Sequence, residues 1–310
     1  MKRDFQQIEW DAATIEDCRQ LVRLAVREDL ERQQDWTTLA TVAPERRGAA
    51  DIVSRQAGYA AGIQATAVVV DEMGGRLTFE AFAADGDRIE GRTTLGRLSG
   101  SVRDLLTCER IVLNILGRMM GVATLASQYV ERVAGTNARI YDTRKTTPGW
   151  RRLEKFAVRC GGAYNHRLGL YDAVLIKDNH LAQFAAAGES QPATAARAVR
   201  QARQFLAELG DIEPLPSGGL IEIEVDSLEQ LAAVLPEHPD IVLLDNMNLE
   251  QLRAGVALRN SLAPEVELEA SGGVNLETVR GIAETGVDRI SVGGITHAAK
   301  SLDVGLDWHA

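Results

Sequence analysis

The sequence of 310 residues lacks the features that mark secreted and membrane-spanning proteins. Its three cysteines, Cys18, Cys108 and Cys160, are widely spaced and include no C-x-x-C pair, which excludes a disulfide framework and favours a reducing compartment. The first ten residues, MKRDFQQIEW, contain no apolar run of the signal-peptide type, and no later run has the length that predicts a membrane span. We therefore expect a cytoplasmic protein that does not bind membranes.

The chain has no excess of positive charge. The chain has 34 Lys and Arg residues against 44 Asp and Glu residues, which gives a formal net charge of -10 at pH 7. Because a nucleic-acid surface needs a broad basic field, we expect no nucleic-acid partner, and any anion must bind in a local cluster of cations. The chain also lacks a Walker loop, an H-E-x-x-H motif and a Ser/His/Asp order, so nothing supports hydrolysis by a tethered nucleophile.

The first 124 residues predict a small antiparallel sheet with flanking helices. Residues 14–30 place apolar side chains at helical spacing, with Thr14 or Asp11 as the cap. Between residues 49 and 101 the pattern changes to short β-rich segments separated by Gly-Gly and Asp-Gly-Asp turns: ADIVSRQ, TAVVV, RLTFEAFA and DRIEGRTTLGRLSG. Residues 101–135 then predict one or two long helices.

The second half of the chain predicts a parallel sheet with crossover helices. Six β-like segments follow one another, with helical patterns between most of them: ARIYDTRK, YDAVLIKDNH, GLIEIEVDS, DIVLLDNM, VELEASGG and DRISVGG. In a β/α barrel the carboxyl ends of the strands converge on one face, where active sites form. Polar residues at these ends would therefore share one pocket.

Cations are concentrated at the first of these strand ends. Arg144, Lys145 and Lys177 follow apolar strands, so we expect them to face the cavity, where an Arg fork suits a carboxylate and a Lys suits a diphosphate. His166 and Arg167 lie in the same neighbourhood of the sequence. A predicted helix after Pro148 carries three further cations, for which a solvated helix face is the simpler interpretation: Arg151, Arg152 and Arg159.

Two glycine-rich turns, SGG at 271–273 and VGGIT at 292–296, follow the last two strands. Backbone N–H groups without side chains, close to a helix N-terminus, can hold a phosphate, and the last strands of a barrel are a frequent place for one. Each turn alone could be a tight connection, but the pair predicts a phosphorylated substrate.

Three acidic residues lie on the neighbouring strands. Glu222 and Glu224 are two residues apart and share one face of their strand, and Asp245 ends the next strand. They could bind Mg²⁺ or ribose hydroxyls, or they could be salt-bridge partners that orient the cations. The residues alone leave both interpretations open.

Taken together, these motifs resemble the quinolinate phosphoribosyltransferase family, the carboxylating nicotinate-nucleotide pyrophosphorylases. The similar segments are collinear and cover most of the chain: ERIVLNILGRMMGVAT (109–124), DTRKTTPGWRRLEKFAVRCGGAYNHRLGLYDAVLIKDNH (142–180), IEIEVDS (221–227), LLDN (243–246), EASGGVN (269–275) and ISVGGITHAAKSLDVGLDW (290–308). Departures from the family pattern leave every candidate site residue in place. They are QDWT at 34–37, Met120, Ala163, Ala298 and a long connection between Asn179 and Leu220.

The resemblance implies an α/β fold with an N-terminal α/β sandwich over residues 1–124 and an incomplete (β/α) barrel over 125–295. The active site would lie at the C-terminal ends of the barrel strands, and a tail at about 296–310 would return to the first domain. It also implies a homodimer in which Arg110 of one subunit reaches the site of the other.

The resemblance further implies a reaction and its residues. Quinolinate and phosphoribosyl pyrophosphate would become nicotinate mononucleotide, pyrophosphate and CO2, with Mg²⁺ and no organic cofactor. Quinolinate would be bound by Arg144, His166, Arg167 and Lys177, with Arg110 across the interface. Lys145, Glu224 and Asp245 would surround the diphosphate, the ribose and Mg²⁺, the two carboxylates binding the metal directly or through substrate or water. The 5-phosphate would lie against Ser271, Gly272, Gly293 and His297. Catalysis would fall to Lys145, Lys177, Glu224 and Asp245, with Lys177 a candidate proton donor to the ring.

Three alternatives remain at the level of the sequence. One is a related phosphoribosyltransferase, such as one for nicotinate or the homologue found with molybdate transport, although Arg110, Arg144 and Arg167 together favour a dianionic acceptor. A second is a Schiff-base aldolase with Lys177 as nucleophile. A third is a non-catalytic sensor of a phosphorylated ligand, since barrels host many functions.

Overall fold

The computed structural model describes residues 3–74, 76–210 and 217–309, which divide into two compact units. The barrel unit comprises 3–7, Gln128–Arg144 and Tyr164–Gly294. The sandwich unit comprises Ile8–Ser127, Lys145–Ala163 and 295–309.

The strands and helices alternate along most of the chain. The strands are β1 (Arg47–Ser54), β2 (Gly58–Tyr59), β3 (Leu77–Ala81), β4 (Arg88–Ile89), β5 (Thr94–Ser101), β6 (Arg139–Tyr141), β7 (Val174–Ile176), β8 (Ile221–Val225), β9 (Ile241–Asp245), β10 (Glu267–Ser271), β11 (Arg289–Ser291) and β12 (Val304–Trp308). The helices are α1 (Ala12–Leu30), α2 (Trp36–Thr41), α3 (Ile63–Glu72), α4 (Val102–Val133), α5 (Arg151–Cys160), α6 (Asp178–Phe184), α7 (Gln191–Leu209), α8 (Leu228–Val234), α9 (Leu249–Leu262), α10 (Val279–Ala283) and α11 (Gly294–His297), with a 3-10 turn at Leu235–Glu237.

The sandwich unit is built on a four-stranded antiparallel sheet of order β12-β1-β5-β3. Helix α1 begins at the N-cap Asp11, whose side chain accepts from the backbone N–H of Thr14. The last strand, β12, pairs with β1 from Ala50 opposite Trp308 to Ser54 opposite Val304. Gly121 of α4 permits the approach of the segment before β12, because a Cβ there would lie 2.1 Å from the carbonyl oxygen of Lys300.

One predicted strand in this unit is wrong. The segment TAVVV was expected to be extended, but it lies in α3, where Val68 and Val69 are buried. The side chain of Asp85 accepts hydrogen bonds from the backbone N–H groups of Gly62, Ile63 and Gln64, at 2.6, 2.9 and 3.2 Å. A carboxylate at the helix N-terminus together with burial outweighs the β propensity of three valines.

Helix α4 is continuous over 32 residues, which settles the choice between one and two helices. It is the one described helix that is long and apolar enough to cross a membrane by length and composition, contrary to the expectation that no segment reaches that length. Within the structure, 72% of its apolar window is buried. This is the behaviour of a core helix, and the composition alone is weak support for a membrane span.

The barrel unit has a six-stranded parallel sheet of order β6-β11-β10-β9-β8-β7. All six β-like segments of the second half therefore form strands of one parallel sheet, as predicted. Within the described residues the first and last strands of this order, β6 and β7, do not pair with each other, so the barrel is incomplete. Its interior strands are buried along nearly their whole length. In β9 (Ile241–Asp245), for example, every residue except the last is buried.

The first residues of the chain belong to the barrel unit, although the predicted boundary placed them with residues 1–124. Asp4 forms ion pairs with Arg139 of β6, at 3.0 Å, and with Arg289 of β11, and it accepts a hydrogen bond from the hydroxyl of Tyr141 at 2.9 Å. Phe5 is buried beside Tyr141 in the core of this unit. These contacts fix the segment to the barrel unit.

Two further boundaries differ from the prediction. The chain passes from the sandwich unit to the barrel unit after Ser127 rather than after residue 124, and Lys145–Ala163 groups with the sandwich unit. Helix α5 in that segment packs against the sandwich unit: the rings of Trp10 and Phe156 lie 5.1 Å apart, and Arg152 pairs with Asp17 at 3.1 Å. The long connection after Asn179 contains α6 and α7, and its residues 211–216 lie outside the described residues.

Candidate active site

Four polar side chains meet at the carboxyl ends of neighbouring barrel strands. Lys177 follows β7, and its Nζ lies 3.1 Å from Oε2 of Glu224 on β8. Asp245 ends β9 and stands in register with Ser271, the last residue of β10. Burial raises the pKa of Glu224, an effect that the Lys177 ammonium opposes and that the nearby negative charge of Asp245 reinforces. The strand ends thus form one charged surface.

The loop after β10 is shaped for a close approach of backbone. Gly272 has a φ of 95°, and a Cβ there would lie 2.2 Å from Oδ1 of Asn246, so only glycine fits. Asn246 itself has a positive φ, its N–H donates to the carbonyl of Ser271 at 2.9 Å, and its amide donates to Oδ2 of Asp245 at 2.7 Å. The conformation leaves a side-chain-free backbone at the end of β10.

Two guanidinium groups of the barrel unit lie close enough for their charges to repel, and Glu222 and Asp172 oppose this effect on Arg167. Arg167 is buried, and its Nη1 donates to the carbonyl oxygen of Ala173 at 3.4 Å. Burial lowers the pKa of Arg167, and the neighbouring positive charge of Arg144 lowers it further. The Nε of Arg144 is buried and has no hydrogen-bond partner among the described residues. Such a pair favours a ligand that brings carboxylates.

The geometry of His166 determines where its proton lies. Its Nδ1 accepts a hydrogen bond from the backbone N–H of Arg167 at 2.8 Å, so a neutral ring carries its proton on Nε2. That Nε2 lies 3.0 Å from Oε2 of Glu222 and 3.6 Å from Oε1 of Glu269. Phe5 stacks on the ring with the centroids 4.2 Å apart. His166 therefore fixes the backbone of Arg167 from inside the barrel.

Glu222 and Glu269 form a buried pair of carboxyl groups. Both are completely buried, and none of their oxygens has a hydrogen bond of normal geometry among the described residues. Burial raises the pKa of each to about 7, and the charge of Glu222 adds to the rise for Glu269. The Nε of Arg289 lies 3.5 Å from Glu269, and its positive charge opposes this rise in the pKa of Glu269. Glu222 was predicted only as one of three candidate acids, and Glu269 was not among the candidates.

Two groups of side chains could be considered for a metal ion. The ligand atoms of His166, Glu222 and Glu269 lie within 4.8 Å of one another. A metal there would need the lone pair of Nε2, the nitrogen that carries the proton when Nδ1 accepts from Arg167, so this cluster fits a cation poorly. Glu224 and Asp245 offer carboxylate oxygens on adjacent strands at the charged surface, which is the type of ligand that Mg²⁺ takes.

Three predicted site residues belong to the sandwich unit: Arg110, Lys145 and His297. Arg110 is exposed on α4, and His297 is exposed in the short α11. Lys145 is exposed at the start of an irregular loop, and its carbonyl oxygen accepts a hydrogen bond from the hydroxyl of Thr296 at 2.8 Å. Gly293, in contrast, falls in the barrel unit just after β11.

The loop after Lys145 rests on residues that the sequence analysis missed. Glu154 of α5 is completely buried and accepts hydrogen bonds from Thr147, while Arg118 of α4 pairs with it at 2.6 Å. A glutamate on the apolar face of an amphipathic helix, between Leu153 and Lys155, is a sign of a buried charge with a specific partner. Nothing in the sequence indicated that the partner would be Arg118.

Comparison with known proteins identifies similar families along nearly the whole length of the chain. Residues 35–120 match the model of the quinolinate phosphoribosyl transferase N-terminal domain, and residues 122–307 match the model of its C-terminal domain. A nicotinate-nucleotide pyrophosphorylase [carboxylating] of Mycobacterium leprae is 42% identical over 301 residues, 96% of this chain and 98% of that one.

Solved structures give the same result. The nicotinate-nucleotide pyrophosphorylase of Francisella tularensis superposes with a TM-score of 0.86 at 31% identity, covering 99% of this chain and 100% of that chain. NadC of Streptococcus pyogenes has a TM-score of 0.83 at 34% identity and covers 97% and 99%.

Proposed function

The chain belongs to the quinolinate phosphoribosyltransferase family. We propose that the cations at its barrel strand ends bind the carboxylates of quinolinate and that the loop beginning at Lys145 binds a diphosphate. The enzyme is a carboxylating nicotinate-nucleotide diphosphorylase of NAD biosynthesis. It converts quinolinate and phosphoribosyl pyrophosphate to nicotinate mononucleotide, pyrophosphate and CO2.

The observation that carries the acceptor assignment is the close pair Arg144 and Arg167 in a protein of net charge -10. Burial and mutual repulsion make this pair costly until an anion neutralises it, and two carboxylates at neighbouring ring positions would do so with charge-assisted hydrogen bonds. His166 contributes by holding the Arg167 backbone through Nδ1. Lys177 adds a third cation at the same strand ends, and we further propose that Arg110 completes the set from the second subunit of a homodimer.

The diphosphate and ribose of the second substrate are assigned to Lys145, Glu224 and Asp245. Lys145 offers a compact ammonium for the leaving group. Glu224 and Asp245 would hold Mg²⁺, directly or through substrate or water, because their oxygens are of the right kind and lie on adjacent strands. When bound, Mg²⁺ supplies positive charge that favours the departing pyrophosphate.

The 5-phosphate is assigned to the loops that follow the last two barrel strands. The positive φ of Gly272 and the absence of a side chain there leave backbone N–H groups accessible beside Ser271. Gly293 is a second glycine without a side chain, just after β11, and His297 in the next helix supplies a polar side chain. No organic cofactor is needed by this set of groups.

The chemistry assigns a role to each fixed charge. The ring nitrogen of quinolinate attacks C1 of the ribose, and the C1–O bond breaks with its electron pair leaving on pyrophosphate. Cations that hold the ring carboxylates align the nitrogen with C1, and Lys145 stabilises the negative charge that develops on the leaving group. The bond from C2 of the ring to its carboxylate then breaks, CO2 departs, and the electron pair left on C2 takes a proton, for which Lys177 is the proposed donor.

The geometry of Lys177 also argues against the aldolase alternative. A lysine that forms a Schiff base must be a neutral amine, usually in an apolar pocket. Lys177 instead lies 3.1 Å from the Glu224 carboxylate with its side chain 45% exposed, which is not an apolar pocket.

A single incubation tests the proposed acceptor. Purified protein with Mg²⁺, phosphoribosyl pyrophosphate and quinolinate should release nicotinate mononucleotide and CO2 in equal amounts, whereas nicotinate in place of quinolinate should give no product. Omission of Mg²⁺ should abolish turnover if the metal assignment is right. Turnover of nicotinate at a comparable rate would overturn the assignment of the Arg144 and Arg167 pair to a dicarboxylate.

A further inference from the structure

We propose that Arg118, Glu154 and Thr296 are positioning residues that hold the backbone of the Lys145–Thr147 loop so that the Lys145 ammonium meets the diphosphate. The inference rests on the proposed function, because it takes the role of Lys145 from it. All of these residues lie in the sandwich unit. None of the three is among the residues predicted to touch a substrate.

Regular secondary structure does not fix the loop. Residues 143–147 have no helical or strand structure, and Pro148 contributes no N–H. Gly149 follows with a φ of 81°, and a turn is closed by the N–H of Trp150, which donates to the carbonyl of Thr147 at 3.0 Å. The backbone groups before this turn must therefore find partners outside regular structure.

Glu154 holds one end of the loop with both of its oxygens. The backbone N–H of Thr147 donates to Oε2 at 3.1 Å, and the hydroxyl of the same residue donates to Oε1 at 2.9 Å. Two hydrogen bonds to one carboxylate fix both the position and the orientation of Thr147. Glu154 is completely buried, so its carboxylate has little access to water in place of these bonds.

Arg118 holds Glu154 and the segment that carries Thr296. Its Nε and Nη2 donate to Oε1 of Glu154 at 3.1 and 2.6 Å, its Nη1 donates to the carbonyl of Ala299 at 2.8 Å, and its Nη2 also donates to the carbonyl of Thr296. One guanidinium thus joins α5 to the segment around α11. The charge of the buried carboxylate is compensated at the same time.

Thr296 holds the other end of the loop. Its side chain is completely buried, and its hydroxyl donates to the carbonyl oxygen of Lys145 at 2.8 Å. The carbonyl of Lys145 and the N–H of Thr147, on either side of Thr146, are therefore tied to two partners that Arg118 links. The Lys145 side chain is exposed, but the backbone from which it extends is fixed. Such preorganisation matters because an error of about 1 Å in the position of a charged group costs roughly a hundredfold in rate.

The decisive comparison is between two variants of Thr296. Thr296→Val keeps the shape of the side chain and removes the hydroxyl, whereas Thr296→Ser keeps the hydroxyl and removes a methyl group. Initial rates at a saturating concentration of the other substrate give KM for each substrate. We expect Thr296→Val to raise KM for phosphoribosyl pyrophosphate by roughly tenfold, with KM for quinolinate changed by less than about twofold, and Thr296→Ser to restore the parent value.

The control is Thr66→Val. Thr66 is a buried threonine of α3 in the same unit, and its hydroxyl donates to the carbonyl oxygen of Gly62, the N-cap residue of that helix, at 3.2 Å. It should leave KM for both substrates unchanged. If Thr296 served only packing, Thr296→Ser would be the more damaging variant, and both KM values would move together; that pattern overturns the inference.

Lys145→Ala separates this inference from the proposed function. If Lys145→Ala leaves KM for phosphoribosyl pyrophosphate unchanged, the assignment of Lys145 to the diphosphate fails, and the inference fails with it. If Lys145→Ala raises that KM while Thr296→Val does not, the proposed function stands and the positioning role of Thr296 is wrong.

Discussion

Glu154 in the sandwich unit and Glu269 in the barrel unit are both completely buried, but their surroundings differ. Glu154 accepts two hydrogen bonds from Thr147 and two from Arg118. Glu269 has no hydrogen bond of normal geometry among the described residues, and burial together with Glu222 raises its pKa to about 7. One carboxyl group is bonded to a guanidinium and to a loop, whereas burial raises the pKa of the other.

The hydrogen bonding of these two glutamates differs because they have different roles in the two units. In the sandwich unit an irregular loop carries Lys145, and a fully bonded charge can fix such a loop where helix or sheet bonds are missing. In the barrel unit the strands are already fixed by the sheet, so Glu222 and Glu269 are free to surround the Nε2 of His166 without a full set of bonds. Buried carboxyl groups in this protein thus hold a loop in the sandwich unit and surround the ring of His166 in the barrel unit.

Removal of Glu154 should have the largest effect on folding. Glu154→Ala leaves the Arg118 charge without its carboxylate, and we expect the free energy of unfolding in urea to fall by about 3–5 kcal/mol. The double variant Arg118→Met with Glu154→Leu removes both charges and should recover most of this loss, while KM for phosphoribosyl pyrophosphate stays raised. A fall in the free energy of unfolding below about 1 kcal/mol for Glu154→Ala would show that Arg118 does not depend on the Glu154 carboxylate.

Replacement of Glu269 should alter how stability depends on pH. A carboxyl whose pKa is raised on folding contributes stability that is complete below its ordinary pKa of 4.5 and is lost as the pH rises through the folded value of about 7. The contribution lost is up to about 3 kcal/mol, since one pKa unit corresponds to about 1.4 kcal/mol. Glu269→Gln should therefore lose less stability than the parent between pH 5 and 8, as followed by urea unfolding at each pH. Parallel curves for the two proteins would show that Glu269 is ionised throughout.

Loss of one hydrogen bond to Glu154 should have a smaller effect. Thr147→Val removes the hydroxyl that donates to Oε1 but keeps the backbone bond, and Arg118 still occupies the same oxygen. We expect the free energy of unfolding to fall by about 1 kcal/mol. Thr41→Val, at an exposed threonine of α2 whose hydroxyl donates within its own helix, is the matched control. Equal changes in the free energy of unfolding of the two variants would mean that the hydrogen bond to Glu154 stabilises the protein no more than one within an exposed helix.

An exposed ion pair in the same unit should matter least. Asp17 lies 3.1 Å from Arg152, and its side chain is 42% exposed. Asp17→Asn should change the free energy of unfolding by less than about 0.5 kcal/mol, and added salt should remove even that difference. A loss as large as that of Glu154→Ala would remove the distinction between buried and exposed charge on which the comparison depends.

The sequence predicted the barrel strands well because their signals are local. Each apolar run ends in a polar residue, and the parallel arrangement brings these ends together, so that Lys177 and Glu224 meet as a strand-end argument requires. Of the two roles left open for the acids, the structure gives Glu224 a salt bridge with Lys177.

TAVVV was misassigned because its helix depends on Asp85, about twenty residues away, and on burial, neither of which a window of sequence contains.

The remaining features depend on contacts between distant parts of the chain. Asp4 and Phe5 belong to the barrel unit because of Arg289 and His166, which lie more than 150 residues further on. The partner of Glu154 is 36 residues before it on another helix. Neither spacing has a period or a motif, so only the folded structure brings these residues together. The sequence could place the cations of the site but not the groups that hold them.

We propose that two residues adjacent in sequence, Arg144 of the barrel unit and Lys145 of the sandwich unit, bind different substrates. The most direct measurement is the KM of each substrate for Arg144→Ala and Lys145→Ala, with each protein shown to be folded. We expect Arg144→Ala to raise KM for quinolinate by about tenfold or more with little change for phosphoribosyl pyrophosphate, and Lys145→Ala to show the opposite pattern. Equal increases for both substrates in both variants would contradict the claim.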